Sequence, residues 1–218
     1  LAMAYWGIAY AKGQLYNRPF MSPARSRAAR AALEKAQAAA QSASVVERAL
    51  IEALALRHPP SEPSDRGGID RAYSDAMRAL WREHPDDPDV GTWFAESLMN
   101  LHPWDLWTID GQPKQDEPEL ERTLERVLAL DPEHPGANHF YVHTLEASSR
   151  PEDALVAADR LRDLVPGVSH LVHMPAHIDI RLGHYQAAAV ANQVALAADR
   201  RHGAETPAGG FYQVYMAH

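Results

Sequence analysis

The sequence contains no cysteine, and this absence removes several classes of site at once. In a chain of 218 residues, it excludes a disulfide scaffold, a thiolate-bound metal, an iron–sulfur cluster and a cysteine nucleophile. The chain also has no apolar run close to the roughly 18–20 residues that a membrane-spanning helix needs. We therefore expect a soluble chain without a membrane span. The missing cysteines leave the compartment open between cytoplasm and periplasm.

Basic residues are few, which argues against one class of partner. Lys and Arg number 21 against 29 Asp and Glu, giving a net charge of −8. Nucleic-acid binding depends on basic side chains that neutralise phosphates, so we expect no nucleic-acid partner. The sequence also has no glycine-rich phosphate loop, no GxSxG element and no kinase signature. The hydrophobic fraction of 46% is nevertheless ordinary for a folded domain.

Helix-forming residues dominate the rest of the chain, and proline and glycine punctuate them at regular intervals. The chain begins and ends within helical patterns, so we expect it to be a fragment of a longer protein. The pattern predicts an all-α fold, with helices near 1–13, 23–41, 44–57, 68–83, 88–101, 117–130, 135–148, 151–164, 169–182 and 185–201, and a further one from about 208.

The helices recur with a period of 34 residues. At this spacing Ala154 aligns with Ala188 and Pro132 with Pro166. Small residues at repeating positions let helices approach closely, and a proline after the second helix ends it. The pattern resembles the tetratricopeptide repeat (TPR) of bacterial proteins. The resemblance implies a right-handed α-solenoid of about five helix-turn-helix repeats, whose first helices, the A helices, line a concave groove.

We predict a single TPR-like domain over residues 1–218, with the clearest repeats in 85–201. Pro85 and Pro88 match Pro132 and Pro135 at an offset of 47 residues, 13 more than one repeat. The excess predicts an insertion at 101–117, between an A helix and its partner. This segment is rich in tryptophan and proline, so we expect it to fold back on the solenoid, where it either fills an outer seam or covers the mouth of the groove beside Glu96.

Histidines concentrate in residues 134–184, which contain seven of the twelve. His139 and His143 are four residues apart, as are His173 and His177, so each pair shares one helix face. The two pairs are also separated by 34 residues and occupy equivalent repeat positions. In TPR proteins these positions point into the concave groove. The sequence therefore predicts four imidazoles facing one another across neighbouring helices.

Such a cluster has the composition of a metal site. Four neutral imidazoles would each need a hydrogen-bond partner, and four charged ones would repel, whereas a shared cation satisfies both conditions. Glu96 lies 47 residues before His143 and is the predicted carboxylate ligand. Imidazole and carboxylate suit Zn, Fe, Cu, Mn and Ni alike, so the pattern does not choose among these ions. Neither histidine pair forms the HExxH motif of zinc proteases.

Several further side chains are candidates for the same site. His170 precedes His173 by three residues, and His218 would begin the following A helix. Glu146 shares a face with His143. Asn138, Glu146 and Asp179 are candidates to hold the second ring nitrogen of a ligating histidine.

Three functions remain open on the sequence alone. In the first, the protein is a metalloprotein, and as an enzyme its metal would activate water or dioxygen for a small-molecule substrate, with Glu96 as ligand or base. In the second, it is a TPR protein–protein interaction module that binds a peptide or partner in the groove. In the third, it stores or transfers metal. The histidines disfavour chaperone-tail peptides, which TPR modules hold with Lys, Arg and Asn.

Overall fold

The structure is a computed structural model, and it describes residues 1–60 and 66–205. These residues are predominantly α-helical and contain no β-strand, only isolated bridges such as that between Trp107 and Pro113. The chain divides into two compact units, Leu1–Leu106 and Trp107–His218, called here the first and second units. No helix in the described part of the chain is long and apolar enough to cross a membrane.

The first unit is built from helices whose starts are set by local side chains. Ser44 and Glu47 form a reciprocal capping box at the start of the third helix, and Asp87 accepts the backbone N–H of Val90 at the start of the fifth. Each such cap satisfies an N–H that lacks an intrahelical acceptor. The helices are α1 (Ala2–Lys12), α2 (Pro23–Ala38), α3 (Val45–Arg57), α4 (Gly67–Glu83) and α5 (Pro88–Met99).

The second unit is also built from consecutive helices, one pair of which is separated by a proline. Its helices are α6 (Glu117–Leu130), α7 (Pro135–Leu145), α8 (Leu155–Leu164), α9 (Ser169–His173), α10 (Pro175–Arg181) and α11 (Tyr185–Glu205). Pro175 separates α9 from α10, because proline has no N–H to continue the ladder. The sequence predicted one helix over 169–182, and the structure has two short helices instead. Residues 100–116, in the predicted insertion, contain no helix.

Packing within each unit follows the order of the chain, as expected for repeats. In the second unit α7 packs on α6 and α8, while α11 packs on α9 and α10. The small residues that define the period are buried: Ala154 and Ala157 in one repeat, Ala188 and Ala191 in the next. Ala188 and Ala191 form an apolar core cluster with Ala176. The predicted all-α, TPR-like helical repeat fold is confirmed.

The N-terminus of α6 carries a buried acidic pair. Arg150 binds both oxygens of Glu121, at 2.7 and 2.5 Å, whereas burial and Glu121 act on Glu117 more strongly than Arg150 and Arg122 do. Burial, together with the charge and hydrogen bond of Glu121, raises the pKa of Glu117 to about 7. In the unfolded chain this pKa is near 4.3. The native protein therefore holds a proton that the unfolded chain has lost, and its stability falls as the pH rises through this window.

Glu117→Gln is expected to remove this pH dependence, because the amide cannot ionise. At pH 8 the variant should be more stable than the wild type by about 1–3 kcal/mol, and near pH 4.5 the two should be similar. Urea denaturation at both pH values measures the difference. Glu133→Gln, at an exposed position, is the control and should follow the wild type. An equal gain for Glu117→Gln at both pH values would contradict the prediction.

Candidate metal centre

Helix α7 presents two of the predicted histidines. Its first turn is fixed by Pro135 and by the His134 side chain, which accepts the backbone N–H of Ala137 at 3.1 Å. His139 and His143 follow one turn apart, with ring centroids separated by 4.8 Å. The cap sets where the helix begins, and the four-residue spacing then places both rings on one face.

Helices α9 and α10 supply three more histidines. His170 and His173 lie on α9 and His177 lies on α10, on either side of the break at Pro175. Nε2 of His173 lies 3.0 Å from Nε2 of His177. The imidazoles of these two short helices therefore converge, although the helical backbone hydrogen bonds are interrupted at Pro175.

The five side chains form one group, called here the histidine cluster: His139, His143, His170, His173 and His177. Nε2 of His139 lies 3.1 Å from Nε2 of His170, and the His143 ring lies 5.6 Å from that of His177. One ligand nitrogen from each of His139, His143 and His170 falls within 4.8 Å of the other two.

Glu146 contacts histidines from two different helices of the histidine cluster, α7 and α10. One carboxylate oxygen lies 2.8 Å from Nδ1 of His143, and the other lies 2.5 Å from Nδ1 of His177. Burial alone would raise the pKa of Glu146, but the hydrogen bonds from His143 and His177 outweigh it and lower the pKa to about 2. The carboxylate is therefore an acceptor for two Nδ1–H groups, so Nε2 is the nitrogen of each ring that would ligate a metal.

The electrostatic surroundings keep His139 neutral. Burial, followed by the neighbouring imidazoles of His143, His170 and His177, lowers the pKa of His139 well below its ordinary value. Neutral imidazole is the form that binds metal. The nitrogen-rich donor set favours borderline ions such as Zn²⁺, Cu²⁺ and Ni²⁺ over Mg²⁺ or Ca²⁺, which prefer oxygen.

The structure thus brings the four core histidines together and adds two of the supplementary candidates, His170 and Glu146. His218 lies outside the described residues. Asn138 does not hold a ring nitrogen, because its amide donates to the carbonyls of Pro132 and His134. Asp179 is buried and accepts hydrogen bonds from Arg162 at both carboxylate oxygens, at 2.9 Å, instead of holding a ring nitrogen of the histidine cluster.

Glu96 lies in the first unit, within a group of buried charges. Its Oε2 is 3.8 Å from Nη1 of Arg57, whose Nε is 3.9 Å from Asp70. The guanidinium also lies over the Tyr73 ring, 5.0 Å from its centroid. Arg57 and Glu96 are both only 1% exposed. The structure therefore gives Glu96 a charge partner within the first unit, and its role as a metal ligand stays a prediction.

Sequence reasoning missed two polar residues of the structure. Asn192 on α11 places Oδ1 2.6 Å from Nδ1 of His173. Its only signal was an amide side chain within an alanine-rich helix. Arg57, at the end of α3, was missed because a basic residue in a last helical turn is typical of a solvated helix end.

Comparison with known proteins supports the fold alone. No known protein family matches the chain, and no curated protein matches it. The solved structure named MamA MSR-1 C2, a TPR-containing protein, is similar with a TM-score of 0.52. The match covers 91% of this chain and 94% of that one at 16% sequence identity. At that identity the likeness concerns the arrangement of helices and carries no site residue across.

Proposed function

We propose that this chain is a TPR-like binding module whose second unit holds a transition-metal ion in the histidine cluster. The likeness to a TPR-containing structure supports the first part of the proposal. The observation that carries the second part is the convergence of His139, His143 and His170, with ligand nitrogens within 4.8 Å of one another.

The surroundings of these nitrogens support a metal over an ordinary polar core. Buried imidazoles without a cation each need a hydrogen-bond partner at every ring nitrogen. Glu146 supplies that partner at Nδ1 of His143 and directs the opposite nitrogen into the histidine cluster. A carboxylate behind a ligating histidine is the usual arrangement in metal sites, where it fixes the ring orientation and raises the basicity of the ligand.

A second candidate function is a protein-interaction module without a metal, and the fold comparison favours it. TPR-like repeats are typical of proteins that bind other proteins, and the matched structure shares this arrangement of helices. In this reading the histidines provide a polar lining for a peptide or protein partner. The two candidates differ in one measurable property, the affinity of the purified protein for metal ions.

Metal analysis separates the candidates. Purified protein is stripped with chelator, reconstituted with Zn²⁺ or Co²⁺, and examined by mass spectrometry and by titration calorimetry. We expect tight binding by the wild type. His143→Ala should weaken this binding by more than about tenfold, since disturbing even the partners of metal ligands costs 10–100-fold. Cobalt also gives a visible spectrum that reports the geometry of the bound ion.

His84→Ala is the matched control, because His84 follows the last residue of α4 in the first unit and is not one of the five residues of the histidine cluster. Its metal affinity should equal that of the wild type. If stripped wild-type protein takes up neither Zn²⁺ nor Co²⁺, or if His143→Ala binds them as tightly, the metal site is rejected. The interaction module then becomes the supported function.

A further inference from the structure

A second group of buried polar side chains lies in the first unit, and the proposed function does not use it. Arg57 ends α3, Asp70 and Tyr73 lie on α4, Glu96 lies on α5, and Asn100 directly follows α5. These five residues, called here the polar cluster, come from neighbouring helices, because α4 packs against both α3 and α5. None of them is more than 7% exposed.

Arg57 has carboxylates near it but makes no hydrogen bond through its guanidinium. Its Nη1 lies 3.8 Å from Oε2 of Glu96, and its Nε lies 3.9 Å from Oδ1 of Asp70. Both distances exceed the roughly 2.7–3.2 Å of an N–H···O hydrogen bond. Among the described residues, the three guanidinium nitrogens, the Tyr73 hydroxyl and both polar atoms of the Asn100 amide have no hydrogen-bond partner, and all of them are buried.

Donors buried in this number need acceptors. A guanidinium carries five N–H groups, and native proteins pair nearly all buried polar groups, because an unpaired one has lost its hydration without a replacement. The Glu96 carboxylate attracts Arg57 by its charge and is too distant to accept a hydrogen bond. A bound molecule that accepts hydrogen bonds from Arg57 and donates to Glu96 supplies what both groups lack.

The charges of the polar cluster restrict the class of this molecule. Arg57 and Arg66 are cationic, Asp70 and Glu96 are anionic, and the four charges cancel. A buried ligand with a net charge disturbs this balance at a high cost, whereas a zwitterion preserves it. We propose that the polar cluster binds the zwitterionic backbone of a free α-amino acid, with the carboxylate on Arg57 and the ammonium group on Glu96.

The chemistry of the neighbouring groups suits a zwitterion. The planar guanidinium can form two parallel hydrogen bonds with one carboxylate. Burial raises the pKa of both Tyr10 and Tyr73, and the charge of Glu96 raises both further, so these phenols keep their protons. The Tyr73 hydroxyl is therefore a donor for the ligand carboxylate. The inference goes beyond the proposed function and does not depend on the histidine cluster.

The enclosure of the polar cluster predicts how the ligand binds. Arg57 and Glu96 are each only 1% exposed, so a bound amino acid is surrounded by protein and enters by local opening of the first unit. Binding that requires a conformational change is slow. We expect association far below the diffusion limit, measurable by stopped-flow tryptophan fluorescence.

The test is calorimetry of the whole chain with each of the twenty common L-amino acids, in the presence of chelator so that no amino acid binds through a metal. At least one should bind with a stoichiometry of one. Its methyl ester and its N-acetyl derivative each keep only one of the two charges. Each should bind about 10–100-fold more weakly, since each loses a hydrogen bond to a charged group.

Tyr73→Phe separates a ligand contact from a structural role. The free protein should be as stable as the wild type or more stable, because the variant removes a hydroxyl that has no partner there. Its affinity for the amino acid should nevertheless fall by about tenfold. Tyr185→Phe is the matched control, because Tyr185 is 70% exposed and lies in the second unit, and it should behave like the wild type.

Three results overturn the inference. Binding of no amino acid means that the polar cluster holds water alone. Equal affinity for the amino acid, its ester and its N-acetyl derivative rejects the zwitterion. Unchanged affinity in Tyr73→Phe places the ligand elsewhere. His143→Ala should bind the amino acid as the wild type does, so failure of this inference and failure of the proposed metal site are distinguishable.

Discussion

Replacing Arg57 with Met is expected to destabilise the protein by about 3–5 kcal/mol, the usual cost of stranding one member of a buried ion pair. Arg57 is 1% exposed and lies between the carboxylates of Glu96 and Asp70. Methionine fills much of the volume but provides no charge. Asp70 keeps a second cation, Arg66 at 3.5 Å, so Glu96 is the group left without a cation among the described ion pairs. Urea denaturation measures the loss.

A double variant identifies the cause of this loss. Arg57→Met combined with Glu96→Gln should recover part of the lost stability, because the neutral amide is cheaper to bury than the carboxylate. Arg82→Met, at an exposed position of α4, is the control and should change stability by no more than about 0.5 kcal/mol. If the double variant is no more stable than Arg57→Met alone, lost packing around the guanidinium is the cause and the electrostatic account is wrong.

The second large effect concerns metal and stability. Zn²⁺ at about a thousand times its dissociation constant should raise the free energy of unfolding by about 4 kcal/mol, because the ion binds the native state. The gain should be complete near pH 8 and small near pH 5, because protons compete with metal for imidazole below a pKa of about 6.5. Thermal melts with Zn²⁺ and with chelator across this range measure it.

The metal-free protein has a pH dependence of its own, to which His139 and Glu146 contribute alongside Glu117, whose effect is opposite in sign to that of His139. The pKa of His139 is lowered on folding. Below about pH 6.5 the unfolded chain therefore binds a proton at this residue that the native state does not bind, and the contribution of His139 to stability decreases as the pH falls. Glu146 has a folded pKa of about 2, so its contribution is present above about pH 4.3 and constant between pH 5 and 8. Melts in chelator therefore provide the baseline for the metal effect.

His143→Ala should lose most of the metal-dependent gain, and His84→Ala should retain it. His143 contacts Glu146, and its ligand nitrogen lies close to those of His139 and His170, whereas His84 follows the last residue of a helix in the first unit. Identical melting curves with and without Zn²⁺ at pH 8 would contradict the prediction.

The fold was predictable because its determinants are local. Helix boundaries are specified by proline and by capping residues, and the contacts between helices are specified by alanines that recur every 34 residues. All of these features are visible in the sequence. The Pro175 position shows the limit of this reasoning. A proline within a helical pattern predicts either a kink or a new helix. Tertiary packing decides between them, and here it produced two short helices.

The histidine cluster was predictable in part for the same reason. His143 and His177 meet because they occupy equivalent repeat positions, which the period revealed. The contact between His139 and His170 depends on where α9 begins, and a boundary of this kind is uncertain by a few residues. Asn192 lies 19 residues beyond His173 on another helix, and periodicity contains no information about such a pairing.

Repeat proteins unfold with a cooperativity set by the interfaces between neighbouring repeats. Glu146 follows α7 and holds His177 of α10, so its carboxylate lies across such an interface. An ion bound to histidines of α7 and α9 would add a second link between the same neighbours. Metal content would then set the coupling energy between adjacent repeats. The loaded second unit would melt in one sharp step, and the stripped one would fray from its terminal helix inward.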